Sequence, residues 1–245
     1  MSGHLNPGGQ QFRGDRGAAD PRVTAALAAY QAGQGSERAA LTALASARLL
    51  VPVVAILADG TAAQGDKDSK GDKDSKRDKD SEMVLPTLIG RDGRPAVLAF
   101  TSLDALARWR PDARPVPAEA DRVWRGAVSD GCAVVIDVGG PVPLAVDGAR
   151  LVALAAGAPV PPPHEDPDVR AEIQAAVAAE PAIAGISLAP GRDDGPDLTV
   201  TLHLAGLGRA PAQTGWGPAV NRAAAGIAAR LATRLRRGIE VVIAE

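Results

Sequence analysis

The chain has 245 residues, of which 46% are hydrophobic, 2% are aromatic and 23% are charged, with a formal net charge of −2. This length allows one large domain or two small ones with a sizeable core. The weakly negative charge argues against a nucleic-acid partner, which needs a basic surface, and the single cysteine excludes an internal disulfide.

The sequence also argues against secretion and membrane insertion. Its N-terminal residues contain no apolar stretch typical of a signal peptide. The longest apolar run, residues 49–58, has about half of the ~20 residues that span a bilayer, and Pro52 interrupts it. We therefore expect a cytoplasmic protein that has no membrane partner.

The first elements in chain order are two helices. Residues 1–19 are rich in glycine and glutamine, and we predict that they are disordered. Asp20 then predicts a helix cap, Pro21 suits a first helical turn, and Gly33 suits a helix end. Ser36 predicts the start of a second helix.

Residues 47–57 predict a buried strand, in which Pro52 favours an edge position or a local break. Two apolar runs flank Asp92-Gly93, which predicts a hairpin turn. A short helix then follows Thr101 or Ser102 as its cap. We expect its inward side chains to be Leu103, Leu106 and Ala107.

A charged repeat separates the first predicted strand from this hairpin. Residues 65–83 carry nearly the same six-residue unit three times. A calcium loop is disfavoured because position 5 is Lys70 and position 12, which requires glutamate, is Arg77. We predict a solvated insertion at residues 60–82. A regulated or partner-contacting loop stays open, with three possible phosphate acceptors, Ser69, Ser75 and Ser81.

The remaining elements predict two domains of the α+β class, each with a mixed or antiparallel sheet packed by helices. The first covers residues 20–157 and includes a helix at 118–131 and a buried strand from Cys132. Residues 158–167 are rich in proline and predict an extended linker. In residues 168–245, the strict alternation of residues 198–204 predicts a strand with one buried face, and a long helix follows it.

Two segments of the first domain carry a family resemblance. Residues 47–54, ARLLVPVV, and residues 79–109, KDSEMVLPTLIGRDGRPAVLAFTSLDALARW, resemble the SseB N-terminal domain family as it occurs in actinobacteria. The resemblance covers roughly residues 20–157, and the C-terminal unit is similar to a second domain of some members. It implies an α+β fold but assigns no reaction and no catalytic residue.

The residue types that usually carry catalysis are few. Cys132 begins an apolar strand without a basic neighbour in the five positions that follow, so we interpret it as a core residue. The three histidines have no metal-ligand spacing, and we expect no metal and no cofactor. Asp137 stands at the end of a buried strand beside Gly139-Gly140. Ligands gather at such strand ends, but a tight turn explains this motif equally well.

Aromatic residues cluster between Phe100 and Trp124. They favour either a core anchor or an exposed contact for another protein. For such a contact, we predict binding residues at Arg94, Phe100, Thr101, Arg108 and Trp109, and we predict Asp137 as a binding residue for the case of a ligand pocket.

We expect a non-catalytic protein-binding or adaptor module whose partner is another protein, bound through the surface around Phe100 to Trp109 or through the groove between the two domains. The alternative is an amino-acid sensor or an enzyme with a pocket near Asp137. A homodimer formed through the strand that ends at Glu245 stays open, because an exposed strand edge can pair with itself.

Overall fold

The computed structural model describes residues 12, 14–57, 81–90, 93–192, 195–205 and 216–244. Its helices are α1 (Pro21–Gln31), α2 (Glu37–Leu44), α3 (Leu103–Trp109), α4 (Ala120–Ser129), α5 (Gly148–Ala155), α6 (Pro167–Val177) and α7 (Trp216–Leu231). Its strands are β1 (Arg48–Leu57), β2 (Ser81–Val84), β3 (Thr87–Ile89), β4 (Pro95–Ala99), β5 (Arg114–Glu119), β6 (Ala133–Ile136), β7 (Leu144–Val146), β8 (Ile183–Pro190), β9 (Leu198–Leu204) and β10 (Ile239–Ile243).

The predicted helix starts are confirmed by side-chain caps. Asp20 accepts a hydrogen bond from a backbone N–H of α1, and Ser36 does the same for α2. For α3 the cap is Ser102 rather than Thr101. These oxygens satisfy N–H groups that have no partner within a helix.

The seven strands of the N-terminal region form two sheets that share an edge contact. One has the strand order β2-β1-β5 and is antiparallel; the other has the order β3-β4-β6-β7, with β4 and β6 parallel. Leu50 of β1 and Phe100, directly after β4, exchange two backbone hydrogen bonds of 2.7 and 2.8 Å. The two sheets therefore form one continuous layer at this point.

Pro52 lies within β1, and the sheet accommodates it at a change of partner. Leu50 bonds to Phe100 along one edge of β1, whereas Val54 faces Val84 of β2. Backbone groups alternate in direction along a strand, so the nitrogen of Pro52 points to this same edge, between the two partners. Proline has no N–H group to donate, so it destabilises the sheet least at such a gap between two partner strands.

The N-terminal layer is covered unequally on its two faces. Helices α1, α2, α4 and α5 bury one face in a large core that includes Tyr30 and Trp124. The other face has a smaller core around Leu50, Leu98 and Phe100, and the helix that packs on it is the seven-residue α3. The smaller core therefore depends on a single short helix.

The C-terminal elements form a three-stranded sheet of order β10-β9-β8, in which β9 and β10 are parallel and β8 is antiparallel. The residues of β9 are alternately buried and half-buried, as the alternation predicted. Helices α6 and α7 cover the buried face. Helices and mixed or antiparallel sheets thus give the α+β class that the sequence predicted.

The predicted linker makes specific contacts between α5 and α6. Val160 is buried, and its carbonyl oxygen accepts a hydrogen bond of 2.9 Å from Nε of Arg38. This contact holds the connection against α2, so the connection is more than a spacer.

Three further sequence predictions concern the repeat insertion, the N-terminal segment and membrane insertion. The repeat insertion at 60–82 lies outside the described residues, except for its last two, which begin β2. Of the predicted disordered segment, residues 12 and 14–19 are described. No helix in the described ranges is long and apolar enough to cross a bilayer.

Candidate functional site

The carboxyl ends of β4 and β6 bring Thr101 and Asp137 together. Because these strands are parallel, the residues that follow them lie at the same edge of the sheet. Oδ1 of Asp137 accepts a hydrogen bond from the backbone N–H of Thr101 at 2.8 Å, and Oδ2 accepts one from Oγ1 of Thr101 at 2.6 Å. Both carboxylate oxygens therefore join the two strand ends.

Asp137 is buried and has a positive φ of 49°. Aspartate and asparagine tolerate this left-handed conformation better than most residues. Burial raises the pKa of Asp137, and the hydrogen bonds from Thr101 lower it, but the effect of burial is the larger. The carboxylate thus has a structural role as a tie between β4 and β6.

Helix α3 is anchored above these strand ends by its aromatic residue. The rings of Trp109 and Phe100 have centroids 5.4 Å apart, and Phe100 is fully buried. Gly139 lies against the backbone of Trp109, where a Cβ at this glycine would come within 3.0 Å of the Trp109 Cα. This distance is shorter than an ordinary van der Waals contact, so the glycine allows α3 to approach the end of β6 closely.

The orientation of α3 differs from the sequence prediction. Ala105 and Leu106 are buried and Trp109 is half-buried, whereas Leu103 and Ala107 are exposed. The prediction that Leu103 and Ala107 face inward is wrong, because the stacking of Trp109 on Phe100 selects the face that runs through Ala105 and Leu106.

The outer face of α3 presents Leu103, Arg108 and part of Trp109 to solvent, and we call these three residues the α3 surface. Leu103 is 38% exposed. Arg108 is exposed, and within the described ranges its guanidinium has no acceptor. The predicted binding residues Arg108 and Trp109 therefore lie on this surface, whereas Phe100, Thr101 and Asp137 are buried beneath it.

Arg94 lies elsewhere. It precedes β4, whereas Thr101 follows that strand, and the rise of a strand separates the two by roughly 20 Å. Arg94 forms a 3.1 Å ion pair with Asp147, before α5. It does not border the α3 surface.

An ordered N-terminal segment runs beside the start of α3. The guanidinium of Arg48 bonds Asp15 at 2.8 Å, the carbonyl oxygen of Thr101 at 3.1 Å and the carbonyl oxygen of Ala18. The carbonyl oxygen of Gly17 accepts a bond of 2.8 Å from the N–H of Leu103. Arg48 thus fastens this segment to the strand end that supports α3.

A second polar cluster connects the N-terminal and C-terminal elements. Arg234, after α7, bonds Asp166 at 2.6 Å and Glu37 at 3.5 Å, and Glu37 also pairs with Arg150. Arg150 is 4% exposed and Asp166 is 1% exposed. We call Glu37, Arg150, Asp166 and Arg234, together with Tyr30, the junction.

Two further hydrogen bonds strengthen this connection. The hydroxyl of Tyr30 donates to the carbonyl oxygen of Thr233 at 2.6 Å, and burial raises the pKa of Tyr30, which keeps it protonated. Oδ2 of Asp168, in the first turn of α6, accepts a bond of 2.7 Å from the N–H of Ala149 and so caps α5. The C-terminal elements therefore dock directly on the N-terminal ones.

Sequence reasoning missed the junction because its partners are remote in the chain. Glu37 and Arg150 are 113 positions apart, and Glu37 and Arg234 are 197 apart. No local spacing relates such residues. The one local signal is the arginine-rich end of α7, which a favourable interaction with the helix dipole explains without any remote partner.

The other candidates for chemistry have ordinary surroundings. Burial, and secondarily Asp130, raises the pKa of Cys132, which opposes formation of the nucleophilic thiolate. His203 makes a 2.6 Å hydrogen bond with Ser187 on the neighbouring strand. No group of three metal-ligating side chains occurs within the described part of the chain.

Comparison with known proteins identifies the family. The family model of the SseB protein N-terminal domain matches residues 23–153, more than half of the chain. The chain therefore belongs to the SseB family. No curated protein and no solved structure matches it.

Proposed function

We propose that this SseB-family protein is a non-catalytic protein-binding or adaptor module that engages another protein through the α3 surface. The observation that carries the proposal is that Arg108 is exposed and that the next residue on α3, Trp109, is half-buried and so still partly accessible. Tryptophan and arginine are the side chains most enriched among the residues that dominate binding energy at protein interfaces. Leu103 adds exposed apolar area at the other end of the helix.

The support beneath this surface also favours binding. Trp109 rests on the buried ring of Phe100, and its backbone is held against Gly139. Ser102 caps the helix, and Thr101 is tied to Asp137. A side chain that is held in place before binding loses less conformational entropy when a partner docks, and therefore contributes more affinity.

The alternative is an amino-acid sensor or an enzyme with a pocket at Asp137. Its strongest support is the position of Asp137 at the ends of two parallel strands, where ligands often bind. Both carboxylate oxygens, however, already accept hydrogen bonds from Thr101, and the residue is 6% exposed. A ligand would have to displace these bonds, so the geometry favours the binding module.

The test is a quantitative affinity purification from the native host with three full-length baits: the unmodified protein, Arg108→Glu and Arg125→Glu. Arg125 is also an exposed arginine, on α4, where it pairs with Asp121, and it provides a charge reversal away from the α3 surface. We expect a stoichiometric partner with the unmodified and Arg125→Glu baits and its loss with Arg108→Glu. Equal recovery with all three baits would contradict the proposal.

The alternative has its own measurement. A ligand present at 100 times its Kd stabilises the folded protein by about 2.7 kcal/mol, which a thermal-shift screen with amino acids and nucleotides detects. Asp137→Asn preserves the shape of the side chain and removes its charge. A ligand whose stabilising effect disappears in Asp137→Asn, without a change in partner recovery, would favour the sensor or enzyme.

A further inference from the structure

At one side of the C-terminal sheet lies β8, whose outer edge pairs with no other described strand. Among the described strands, β8 bonds to β9 alone, and its eight residues include no charged side chain. Proteins usually protect a free edge with charges, because unpaired N–H and C=O groups recruit another strand. A register shift between Ile183 and Gly185, and Pro190 at the end, interrupt this edge, so the regular and uncharged part that is open to a partner strand covers residues 185–189.

The hydrogen-bonding pattern of the sheet shows which backbone groups of β8 point away from β9. The carbonyl oxygen of Leu202 in β9 accepts a bond from the residue that follows β10. Because direction alternates along a strand, Thr201 faces β8, and its partner Ser187 faces back toward it. Ile186 and Leu188 therefore direct their N–H and C=O groups to the outer edge.

A groove of about 370 Å³ runs between this edge and α6. Apolar side chains that include Val177, Ile183 and Ile186 line it. It also contains two charged residues, which differ in their pairing. Glu180 is held by two bonds of 2.7 and 2.8 Å from Arg222, whereas the guanidinium of Arg170 is exposed and has no acceptor within the described residues. The unneutralised charge of the groove is therefore positive.

We propose that β8 and α6 form a second binding site, which takes an extended acidic segment of a partner protein. The segment adds as a fourth strand beside β8, so that its backbone bonds to Ile186 and Leu188. Alternate side chains enter the groove, where apolar ones meet Val177 and Ile183 and a carboxylate meets Arg170. Addition of a strand in this way obtains affinity from the backbone and specificity from the pockets.

This site is independent of the α3 surface, because it lies on different elements and uses a different mode of recognition. It follows that the two sites can be tested by separate substitutions in the same intact protein.

The experiment begins with selection from a displayed library of short random peptides on the full-length protein. The selected peptides are then synthesised and titrated by fluorescence polarisation. We expect enrichment of aspartate or glutamate between alternating apolar residues. Arg170→Glu should weaken binding by about tenfold or more, because it replaces a charge-assisted bond by repulsion. Arg22→Glu, an exposed arginine on α1, is the matched control and should leave the Kd unchanged.

Amide hydrogen exchange of the intact protein gives an independent readout. Bound peptide should protect the N–H groups of Ile186 and Leu188, which face outward in the free protein. Failure to select binders, binders without acidic residues, equal effects of Arg170→Glu and Arg22→Glu, or unprotected amides would each overturn the proposal. Protection that rises with protein concentration without peptide would overturn it in favour of a second copy of the chain at this edge.

Discussion

The junction and the α3 surface both contain arginine and aromatic side chains, but these side chains find their partners in different places. At the junction, Arg234 lies between Glu37 and Asp166, and Tyr30 donates to a backbone oxygen of the same chain. On the α3 surface, Arg108 faces solvent and has no acceptor within the described ranges. Residue type alone therefore does not separate a structural role from a binding role.

What separates the two regions is burial combined with pairing. A buried ion has lost its hydration, so it depends on its partner within the fold. An exposed ion keeps its hydration and contributes little to folding, which leaves it available to another molecule. This difference predicts opposite consequences for arginine substitutions in the two regions.

The largest effect should follow Arg234→Met at the junction. This substitution leaves the buried carboxylate of Asp166 without its cation and leaves the half-buried Glu37 with Arg150 alone. We expect the free energy of unfolding to fall by about 3–5 kcal/mol, measured by urea denaturation followed by circular dichroism.

The matched control is Arg230→Met, on α7. Arg230 pairs with Glu172 at 2.8 Å, but both side chains are 47% exposed. An exposed pair contributes about 0–1 kcal/mol, so this variant should remain close to the unmodified protein. Equal losses for the two variants would show that the ion pairs of the junction contribute no more to the free energy of unfolding than an exposed pair does.

The next effect concerns Asp137, which lies beneath the α3 surface but resembles the junction in its burial and pairing. Asp137→Ala leaves the N–H of Thr101 without an acceptor and places alanine at a positive φ. We expect a loss of about 3 kcal/mol in urea denaturation. Asp137→Asn keeps an oxygen for the N–H and tolerates this φ, so it should cost about 1 kcal/mol or less. If both variants lose the same free energy of unfolding, the hydrogen bonds from Thr101 do not explain why an aspartate occupies this position.

The pH dependence of stability tests the burial of Asp137 in a second way. Because burial raises the pKa of Asp137, the folded protein binds this proton more tightly than the unfolded chain does. The group therefore contributes its full stability below the unfolded pKa of about 3.9, and the protein loses that contribution as pH rises through the folded pKa. Asp137→Asn does not titrate. Its stability relative to the unmodified protein should increase as pH rises above about 4, measured as unfolding free energies at a series of pH values. Parallel profiles would contradict the raised pKa.

The sequence predicted local features of these regions well and distant ones poorly. Caps at Asp20 and Ser36, and the alternation of β9, depend on residues a few positions apart, so a single sequence contains them. The inward face of α3 was predicted wrongly, because the contact that orients it joins Trp109 to a ring outside the helix. The junction unites residues more than a hundred positions apart, which periodicity cannot relate.

On the α3 surface itself, Arg108→Ala should leave stability almost unchanged. The side chain is exposed, and such substitutions usually change the free energy of unfolding by no more than about 0.5 kcal/mol. Binding of the partner recovered with the unmodified bait should nevertheless weaken by about tenfold or more, as expected for an arginine at the centre of an interface. A large loss of stability with intact binding would show that Arg108 has a structural role, like the arginines of the junction, and not a binding role.

The smallest effect should come from the connection between β1 and β2. Leu57 and Ser81 face each other in the antiparallel pair, so the ends of this connection are already adjacent in the folded protein. Deleting residues 65–76, the first two units of the charged repeat, about halves its length, and each halving lowers the entropic cost of closure by about 0.6 kcal/mol. We therefore expect the deletion variant to be slightly more stable in urea denaturation and to recover the same partner in affinity purification. A stability loss above about 1 kcal/mol, or loss of the partner, would mean that the repeat makes contacts that an inert insertion lacks. The repeat would then be a third region, after the junction and the α3 surface, that contributes to folding or binding.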